Sequence, residues 1–336
     1  MIYVKNFDQI PAQIKGSVLA LGNFDGFHRG HQVVVATAGR LAKRLNASLS
    51  VMTMEPHPRT FFAPDQEAFR ITPATEKAQI LAEFGIDSLL ELPFGKATSS
   101  MTAEEFMQKI LVDALDVKGV VVGYDYHFGQ KRSGNVETLQ AFGAEKGFEV
   151  VVVEPVSIGV EGAAGEVYSS TLVRQALKNG EVRRAAALLG HWWTHSSIVQ
   201  KGDQRGRTIQ FPTANLSFGD SIVPKFGVYA VRATVGEDQN TIYSGVANIG
   251  VRPTFDKTDV LLEVHLFDFK EDIYDQSLNV EFVSFIRPEQ KFDGLDSLKT
   301  QITKDCGVAK TVLADPENQR VSLRVPHIQD VMKILP

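Results

Sequence analysis

The chain has 336 residues, enough for two domains that each bury a hydrophobic core. Its 35 lysines and arginines against 40 aspartates and glutamates give a net charge of −5, which argues against nucleic-acid binding through a basic surface. A single cysteine excludes an internal disulfide framework, and no apolar run approaches the roughly 20 residues of a membrane span. We therefore expect a cytoplasmic protein that acts on small molecules, without nucleic-acid or membrane partners; the oligomeric state stays open.

Residues 1 to about 156 alternate between continuous apolar runs and helical patterns, which predicts a Rossmann-like α/β domain with a doubly wound parallel sheet. Five strands are predicted, at Val18–Leu21, Leu49–Met54, Ser88–Leu92, Val120–Gly123 and Glu149–Val153. A helix is predicted over Thr102–Leu115, where Thr102 and Glu105 have the spacing of a capping box. Open parallel sheets bind ligands beyond the carboxyl ends of their strands, so the loops there are expected to carry the chemistry.

The turn Gly22–His31 follows the first of these strands and opens a helical pattern. The first amides of a helix lack intrahelical partners and its dipole favours anions, so this turn suits a phosphate-bearing ligand. Three roles are open to His28 and His31: zinc ligands, a structural helix cap, or donors to a polyphosphate during nucleotidyl transfer. No cysteine or carboxylate cluster completes a zinc site with these histidines, which favours their role as donors to a polyphosphate.

The second half of the chain reads as β structure. Antiparallel strands are predicted at Ser197–Val199, Val228–Val235, Thr241–Ile249, Val260–Phe269 and Ser277–Ile286. A small barrel is favoured because closure removes exposed strand edges. Apolar residues between Leu295 and Val312 predict one or two closing helices. The two domains are predicted to be residues 1–187 and 188–336; the pattern of residues 315–336 is too weak to place them.

The segment Gly202–Asn215 combines glycines and cations with a threonine and an asparagine that follow a proline. By itself this pattern is explained by a plain turn or by a phosphate site. Mg²⁺ prefers oxygen ligands and keeps waters and substrate phosphates, so the Thr213 hydroxyl and the Asn215 carbonyl suffice as protein ligands.

Glu263 lies in the alternating strand Leu262–Phe267. It is either a solvated residue on the polar face or a general base that accepts the proton of an alcohol as the alcohol attacks a γ-phosphate. His265, two residues on, shares its face and is expected to line the site.

The turn Gly22–His31 resembles the G-x-F-D-G-x-H-x-G-H turn of the flavin nucleotidyltransferases. Three further segments follow in the order seen in the adenylyltransferase half of bacterial bifunctional riboflavin kinase/FAD synthetases: Glu55-Pro56-His57-Pro58, Gly123–Gly129 and Ser169–Arg174. The resemblance implies that His28 and His31 contact the ATP phosphates. It also implies a set of nucleotide-binding residues: Gly22, Asn23, Phe24, Asp25, Gly26 and Gly30 in the turn, Asp125 near the nucleotide, and Ser170, Thr171 and Arg174 at the triphosphate. From the residues alone, Arg174 is equally an ordinary exposed arginine in the first turn of a helix.

The second cluster resembles the G-R-T-x-G-F-P-T-A-N segment of riboflavin kinases. Later blocks of that family are matched by Gly245–Phe255, Leu262–Phe269 and Phe285–Phe292. The resemblance implies Glu263 as the catalytic base, Thr213 and Asn215 as Mg²⁺ ligands, and a further nucleotide-binding set: Gly202, Gly206, Arg207, Thr208 and Arg287. The chain departs from the family pattern at Tyr126 and His127, at 191–193, and at Gln210, which replaces a small residue and is expected to crowd the nucleotide.

The resemblance implies two Mg·ATP-dependent reactions. The β domain would phosphorylate riboflavin to FMN, and the α/β domain would adenylylate FMN to FAD with release of pyrophosphate, so the flavins are substrates and products rather than redox cofactors. Two alternatives stay open: an adenylyltransferase whose β domain only binds flavin, suggested by Gln210, and a non-catalytic flavin or nucleotide sensor. The presence of His28, His31 and Glu263 speaks against the sensor.

Overall fold

The computed structural model describes residues 1–5, 7–158, 166–201, 211–253, 258–319 and 324–335. The chain forms two units: the first comprises residues 1–67, 77–169 and 325–336, and the second comprises 68–76 and 170–324. Each unit thus combines segments that are separate in the sequence, and this division differs from the predicted functional boundary at residue 187. That boundary stays a prediction.

The first unit is built on a parallel sheet. Its strands are β1 (Ile2–Val4), β2 (Val18–Leu21), β3 (Leu49–Glu55), β4 (Ser88–Pro93), β5 (Gly119–Gly123) and β6 (Glu149–Val153). They pair in parallel in the order β1-β4-β3-β2-β5-β6, which confirms the predicted α/β class and all five predicted strands. The sequence did not reveal β1, because three residues are too few to carry a period.

Helices cover both faces of this sheet. They are α1 (Arg29–Arg44), α2 (Pro58–Phe62), α3 (Ala74–Phe84), which begins in the second unit, α4 (Lys96–Ser99), α5 (Ala103–Phe106) and α6 (Val136–Lys146). The capping box before α5 is confirmed, since Thr102 Oγ1 accepts from the Glu105 N–H at 3.1 Å and Glu105 Oε2 accepts from the Thr102 N–H at 3.0 Å. The predicted helix is not α-helical throughout, because Met107–Ala114 forms a π-helix.

The sheet's side chains alternate between two cores. Leu19, Leu21 and Met52 pack on one face, and Val18 and Val51 pack on the other. Both faces are therefore buried, which is why these strands read as continuous apolar runs.

The end of the chain returns to the first unit. A short helix, Ile328–Ile334, packs on α1, and its Ile328 and Val331 are buried in the same core as Val18. A Cβ atom at Gly39 of α1 would lie 2.9 Å from Ile328 Cδ1, so a larger residue there would make the Ile328 side chain shift. Seven residues are too few to show an amphipathic period, so the sequence could not place this helix.

The second unit contains an antiparallel sheet. Its strands are β7 (Thr194–Ile198), β8 (Ala214–Ser217), β9 (Gly227–Val235), β10 (Asp238–Pro253), β11 (Thr258–Leu266) and β12 (Ser277–Arg287). The order is β7-β12-β9-β10-β11-β8, and the Gln200 N–H beyond β7 donates to the Asn215 carbonyl of β8 at 2.9 Å. The last bond joins the two edge strands, so the predicted small barrel is confirmed. The four-residue β8, just after Pro212, was not predicted.

Among its described residues, the second unit contains the helices α7 (Ser170–Asn179), α8 (Val182–Leu189) and α9 (Leu295–Ala314). The predicted closing helix is confirmed as α9, whose buried residues are Asp305, Ala309 and Leu313. Leu295 is 65% exposed and Val308 is 39% exposed, whereas Asp305 is buried. The physical reason is an ion pair: Arg287 of β12 donates to the Asp305 carboxylate from both Nε and Nη2, which turns the Asp305 side of α9 toward the barrel.

His195 of β7 is buried in the second unit as a neutral ring. Its Nε2 donates to the Ser217 carbonyl at 3.0 Å, and its Nδ1 accepts from the Ser221 hydroxyl at 3.2 Å. Burial lowers the pKa of His195 from 6.5 to about 4.

The stability of the second unit is expected to depend on pH through His195. Below pH 6.5 the unfolded chain binds a proton here that the folded barrel does not, so stability is full above pH 6.5 and is lost toward pH 4. The loss reaches about 3 kcal/mol, since one pKa unit is worth about 1.4 kcal/mol.

Urea unfolding followed by tryptophan fluorescence reports this unit, because both tryptophans, Trp192 and Trp193, lie in it. His195→Gln is expected to flatten the dependence, whereas replacing the exposed His327 by glutamine leaves it intact. Identical pH slopes in wild type and His195→Gln would contradict this assignment.

Candidate functional site

The Gly22–His31 turn is fixed by two buried aromatic residues in unusual backbone conformations. Phe24 and Phe27 have φ values of 49° and 40°, and their side chains are 1% and 0% exposed. Bulky residues rarely adopt the left-handed region, and they persist there where the surrounding structure over-determines the conformation. The Phe27 ring packs edge-on against Phe84 with centroids 4.9 Å apart. The turn is therefore held rigidly in one shape.

His28 and His31 form a stacked pair at the start of α1. Their ring centroids lie 3.6 Å apart with 21° between the planes, and His28 Nδ1 accepts from the His31 N–H. His28 is thus the N-cap of α1. A neutral imidazole that accepts at Nδ1 carries its proton on Nε2, so the other nitrogen of His28 is a donor. Capping and phosphate binding are compatible roles for this ring.

Gly30 allows the two rings to approach the backbone. A Cβ atom at Gly30 would lie 3.2 Å from the His28 ring. The first turn of α1 carries no acidic residue, whereas Lys43 and Arg44 lie in its last turn. The N-terminal end of α1 is consequently favourable for an anion.

The turn lies at the point where the strand order reverses. From β2 the chain proceeds through β3 and β4 on one side, whereas β5 and β6 pair on the other side. The loops after β3, β2 and β5 are the segments 55–58, 22–31 and 123–129, so three predicted loops leave the same edge from adjacent strands. Ligands of open α/β sheets bind at this switch point.

In the loop after β5, Asp125 is exposed, and its carbonyl lies 2.9 Å from His127 Nδ1. A carbonyl only accepts, so this ring nitrogen donates, and His127 stabilises the backbone of the loop. Asp125 keeps its predicted place near the nucleotide as a prediction.

Lys77 lies beneath the turn, and the sequence analysis missed it. Its side chain is 0% exposed, and its Nζ donates to Glu55 Oε1 at 3.0 Å, Thr53 Oγ1 at 2.9 Å and the Asn23 carbonyl at 3.3 Å. Lys77 stands four residues before the buried Leu81 of α3, so the two residues share a helix face. A lysine on this apolar face is the feature of the sequence from which Lys77 could have been identified.

The Ser170-Thr171 start of α7 belongs to the second unit, together with Arg174. Arg174 Nε donates to the Phe69 carbonyl at 2.9 Å, and its guanidinium lies over the Phe69 ring. The role of these residues at the ATP triphosphate stays a prediction.

On the barrel, one row of polar side chains crosses three neighbouring strands. Glu263 of β11 stands directly opposite Asn215 of β8 and Asn248 of β10. Directly opposite residues of antiparallel strands share a face, so the carboxylate and the two amides lie on one side of the sheet. That side is the outer one, since Leu262 and Val264 are buried while Glu263 is exposed. Asn248 was not singled out from sequence; only the strand register reveals it.

His265, two residues after Glu263 on β11, contacts the residues that precede Thr213. Its Nδ1 donates to the Pro212 carbonyl at 2.8 Å, and its ring packs edge-on against Phe211. This fixes the residues immediately before Thr213. Thr213 and Asn215 are two residues apart at an extended strand, so they fall on the same face as Glu263.

These oxygen donors are the type that Mg²⁺ prefers, and the site would leave positions for substrate phosphates and water. Among the described residues no group of three or more His, Cys, Asp or Glu side chains could hold a metal ion. Five predicted residues lie outside the described part of the chain: Gly202, Gly206, Arg207, Thr208 and Gln210.

Arg287 forms an ion pair with Asp305, and its Nη1 donates to the Pro288 carbonyl at 2.9 Å. Its predicted nucleotide contact stays a prediction. Between residues 1 and 335, the described helices include none that is long and apolar enough to span a bilayer.

A turn suited to phosphate at the switch point of a parallel sheet, in one chain with a barrel that carries a carboxylate among oxygen donors, is typical of a two-domain phosphate-transferring enzyme. Comparison with known proteins makes this specific. Residues 10–170 match the family model of FAD synthetase, and residues 189–313 match that of riboflavin kinase. The bifunctional riboflavin kinase/FMN adenylyltransferase of Escherichia coli K12 is 40% identical over 302 residues, which cover 90% of this chain and 94% of that one.

The enzyme of the same name from Bacillus subtilis 168 is 37% identical over 295 residues, covering 86% and 90% of the two chains. A crystal structure from Streptococcus pneumoniae, described as a macrolide-efflux protein, superposes with a TM-score of 0.79 at 33% identity and covers 92% of this chain and 98% of its own. The chain belongs to the family of bifunctional riboflavin kinase/FMN adenylyltransferases. It is a riboflavin kinase and an FMN adenylyltransferase in one polypeptide, as the resemblance implied.

Proposed function

We propose that the two activities use two separate Mg·ATP sites: the Gly22–His31 turn for adenylyl transfer and the Glu263 row for phosphorylation. The functional division is residues 1–187 and 188–336. Riboflavin, FMN and ATP are the substrates, and the single, half-buried Cys306 supports a reducing, cytoplasmic setting.

The observation that carries the first assignment is the stacked His28–His31 pair capping α1 at the switch point. In this reaction an FMN phosphate oxygen bonds to the α-phosphorus of ATP, the bond to the β-bridging oxygen breaks, and pyrophosphate leaves. Charge builds on the leaving oxygens, so the imidazole donors and the amides of α1 stabilise the transition state. No side-chain nucleophile is needed, and holding the phosphates in line supplies the rest of the rate enhancement.

In the barrel, Glu263 accepts the proton of riboflavin's primary hydroxyl as that oxygen attacks the γ-phosphorus of ATP. The Thr213 hydroxyl and the Asn215 amide oxygen would hold Mg²⁺, which neutralises charge on the transferring phosphates when bound. His265 keeps Pro212, and hence Thr213, in place beside Glu263.

Incubation of the protein with riboflavin, ATP and Mg²⁺, followed by chromatography, is expected to show FMN first and FAD later. Asn215→Leu should raise the Mg²⁺ concentration needed for FMN formation by about tenfold or more, since even the loss of a residue that only supports a metal ligand typically costs about that much. FAD formation from supplied FMN should keep its wild-type Mg²⁺ dependence. A wild type that makes FAD only from supplied FMN would leave the barrel as a flavin-binding module, and a wild type that makes neither product would refute the enzyme assignment.

A further inference from the structure

The fully buried Lys77 is unusual for a lysine, because a charge removed from water must be compensated. The ammonium has the Glu55 carboxylate at 3.0 Å, and Glu91, directly opposite Thr53 in the register of β3 and β4, lies on the same face of the sheet. Buried ion pairs can often be replaced by apolar residues of similar volume without loss of stability. The ion pair by itself is therefore weak evidence that the lysine serves stability alone.

The third contact of Lys77 suggests a role at the turn. The Asn23 carbonyl accepts from Lys77 Nζ at 3.3 Å and from the Thr53 hydroxyl at 3.2 Å. Two donors from different elements, α3 and β3, thus fix the orientation of one peptide group at the beginning of the Gly22–His31 turn. The Asn23 side chain itself is exposed, so only its carbonyl is directed inward.

The orientation of that carbonyl determines the orientation of the next amide. The peptide between Asn23 and Phe24 is trans, and the C=O and N–H of a trans peptide point in opposite directions. With the carbonyl held by Lys77, the Phe24 N–H points away from the sheet interior, toward the outer side of the turn. Phe24 itself has a φ of 49° and a buried side chain.

We propose that Lys77 is a positioning residue for adenylyl transfer: it holds the Asn23 carbonyl so that the Phe24 N–H faces the ATP phosphates. Thr53 supports the same carbonyl, and Glu55 keeps the ammonium in place. The inference rests on the proposed assignment of the turn to ATP. It adds an oriented backbone donor to the two imidazoles.

The test replaces Lys77 by methionine, which keeps the length of the side chain and removes its charge and donors. The KM for ATP in FMN adenylylation is expected to rise by about ten- to a hundredfold, as for the loss of a hydrogen bond to a charged group. The KM for FMN and the riboflavin kinase rate should stay at wild-type values. The matched control is Lys109→Met in the same unit, which removes an exposed lysine paired with Glu105 and should change neither KM.

The split between KM and kcat separates positioning from stability. A variant that is merely less stable has fewer active molecules, so its kcat falls while its KM for ATP is unchanged. A second pair of variants covers the case in which Lys77→Met does not fold. Thr53→Val removes one donor to the Asn23 carbonyl and should raise the KM for ATP, whereas Thr53→Ser keeps the hydroxyl and should restore it.

An unchanged KM for ATP in folded Lys77→Met, or in Thr53→Val, would overturn the positioning role. The His28/His31 double alanine variant tests the ATP site itself. If that variant still makes FAD, the site assignment fails; if it loses FAD formation while Lys77→Met keeps its wild-type KM, only the role of Lys77 fails.

Discussion

Replacing His28 and His31 together by alanine is expected to stop FAD formation while riboflavin is still phosphorylated, so FMN accumulates. Removal of a single preorganised donor to developing charge costs about 10²–10³-fold in kcat, and the double variant loses two. The measurement is chromatography of FMN and FAD during turnover of riboflavin with Mg·ATP. The kinase reaction serves as an internal control for folding of the second unit.

The structure shows that His28 also caps α1, so a single replacement must separate capping from phosphate binding. His28→Asn does so, because asparagine is a good N-cap and its amide N–H donors, on a shorter side chain, do not reach the position of the imidazole Nε2. We expect His28→Asn to lose most of the adenylyltransferase activity while its thermal unfolding temperature stays near that of the wild type. Full activity of His28→Asn would show that the cap alone matters.

The sequence was most informative where burial imposes a pattern. Strand β2 is buried on both faces and was predicted from four apolar residues, and the loops that follow β2, β3 and β5 were recognised by their unusual residues. In an open parallel sheet the end of a buried strand determines where the next loop lies, so these predictions located the edge of the sheet at which a ligand is expected.

The sequence was least informative where position depends on long-range contacts. Lys77 binds Asn23 across 54 residues, and Asn248 faces Glu263 only through strand register. The face that α9 presents to the barrel combines the Arg287–Asp305 ion pair with the buried Ala309 and Leu313. Local periodicity does not identify the partners of such pairings, even where it marks one residue, such as Lys77, as a charge on an apolar face.

Glu263→Gln is expected to reduce riboflavin phosphorylation by about 10²–10⁴-fold in kcat, the usual contribution of a general base. Glutamine keeps the size of the side chain and its place between Asn215 and Asn248, but it cannot accept the proton of the attacking hydroxyl. FAD formation from supplied FMN should be unchanged, since that reaction uses the histidine turn.

The alternative explanation, a solvated carboxylate on the outer face of β11, predicts a different result. An exposed residue without a catalytic role tolerates this substitution, and the matched control Glu237→Gln, at an exposed glutamate between β9 and β10, should keep the wild-type kinase rate. A raised KM for riboflavin with an unchanged kcat would reassign Glu263 to flavin binding. A loss confined to kcat, with unchanged tryptophan fluorescence of the barrel, is the result that identifies Glu263 as the base, because only the chemical step needs a proton acceptor.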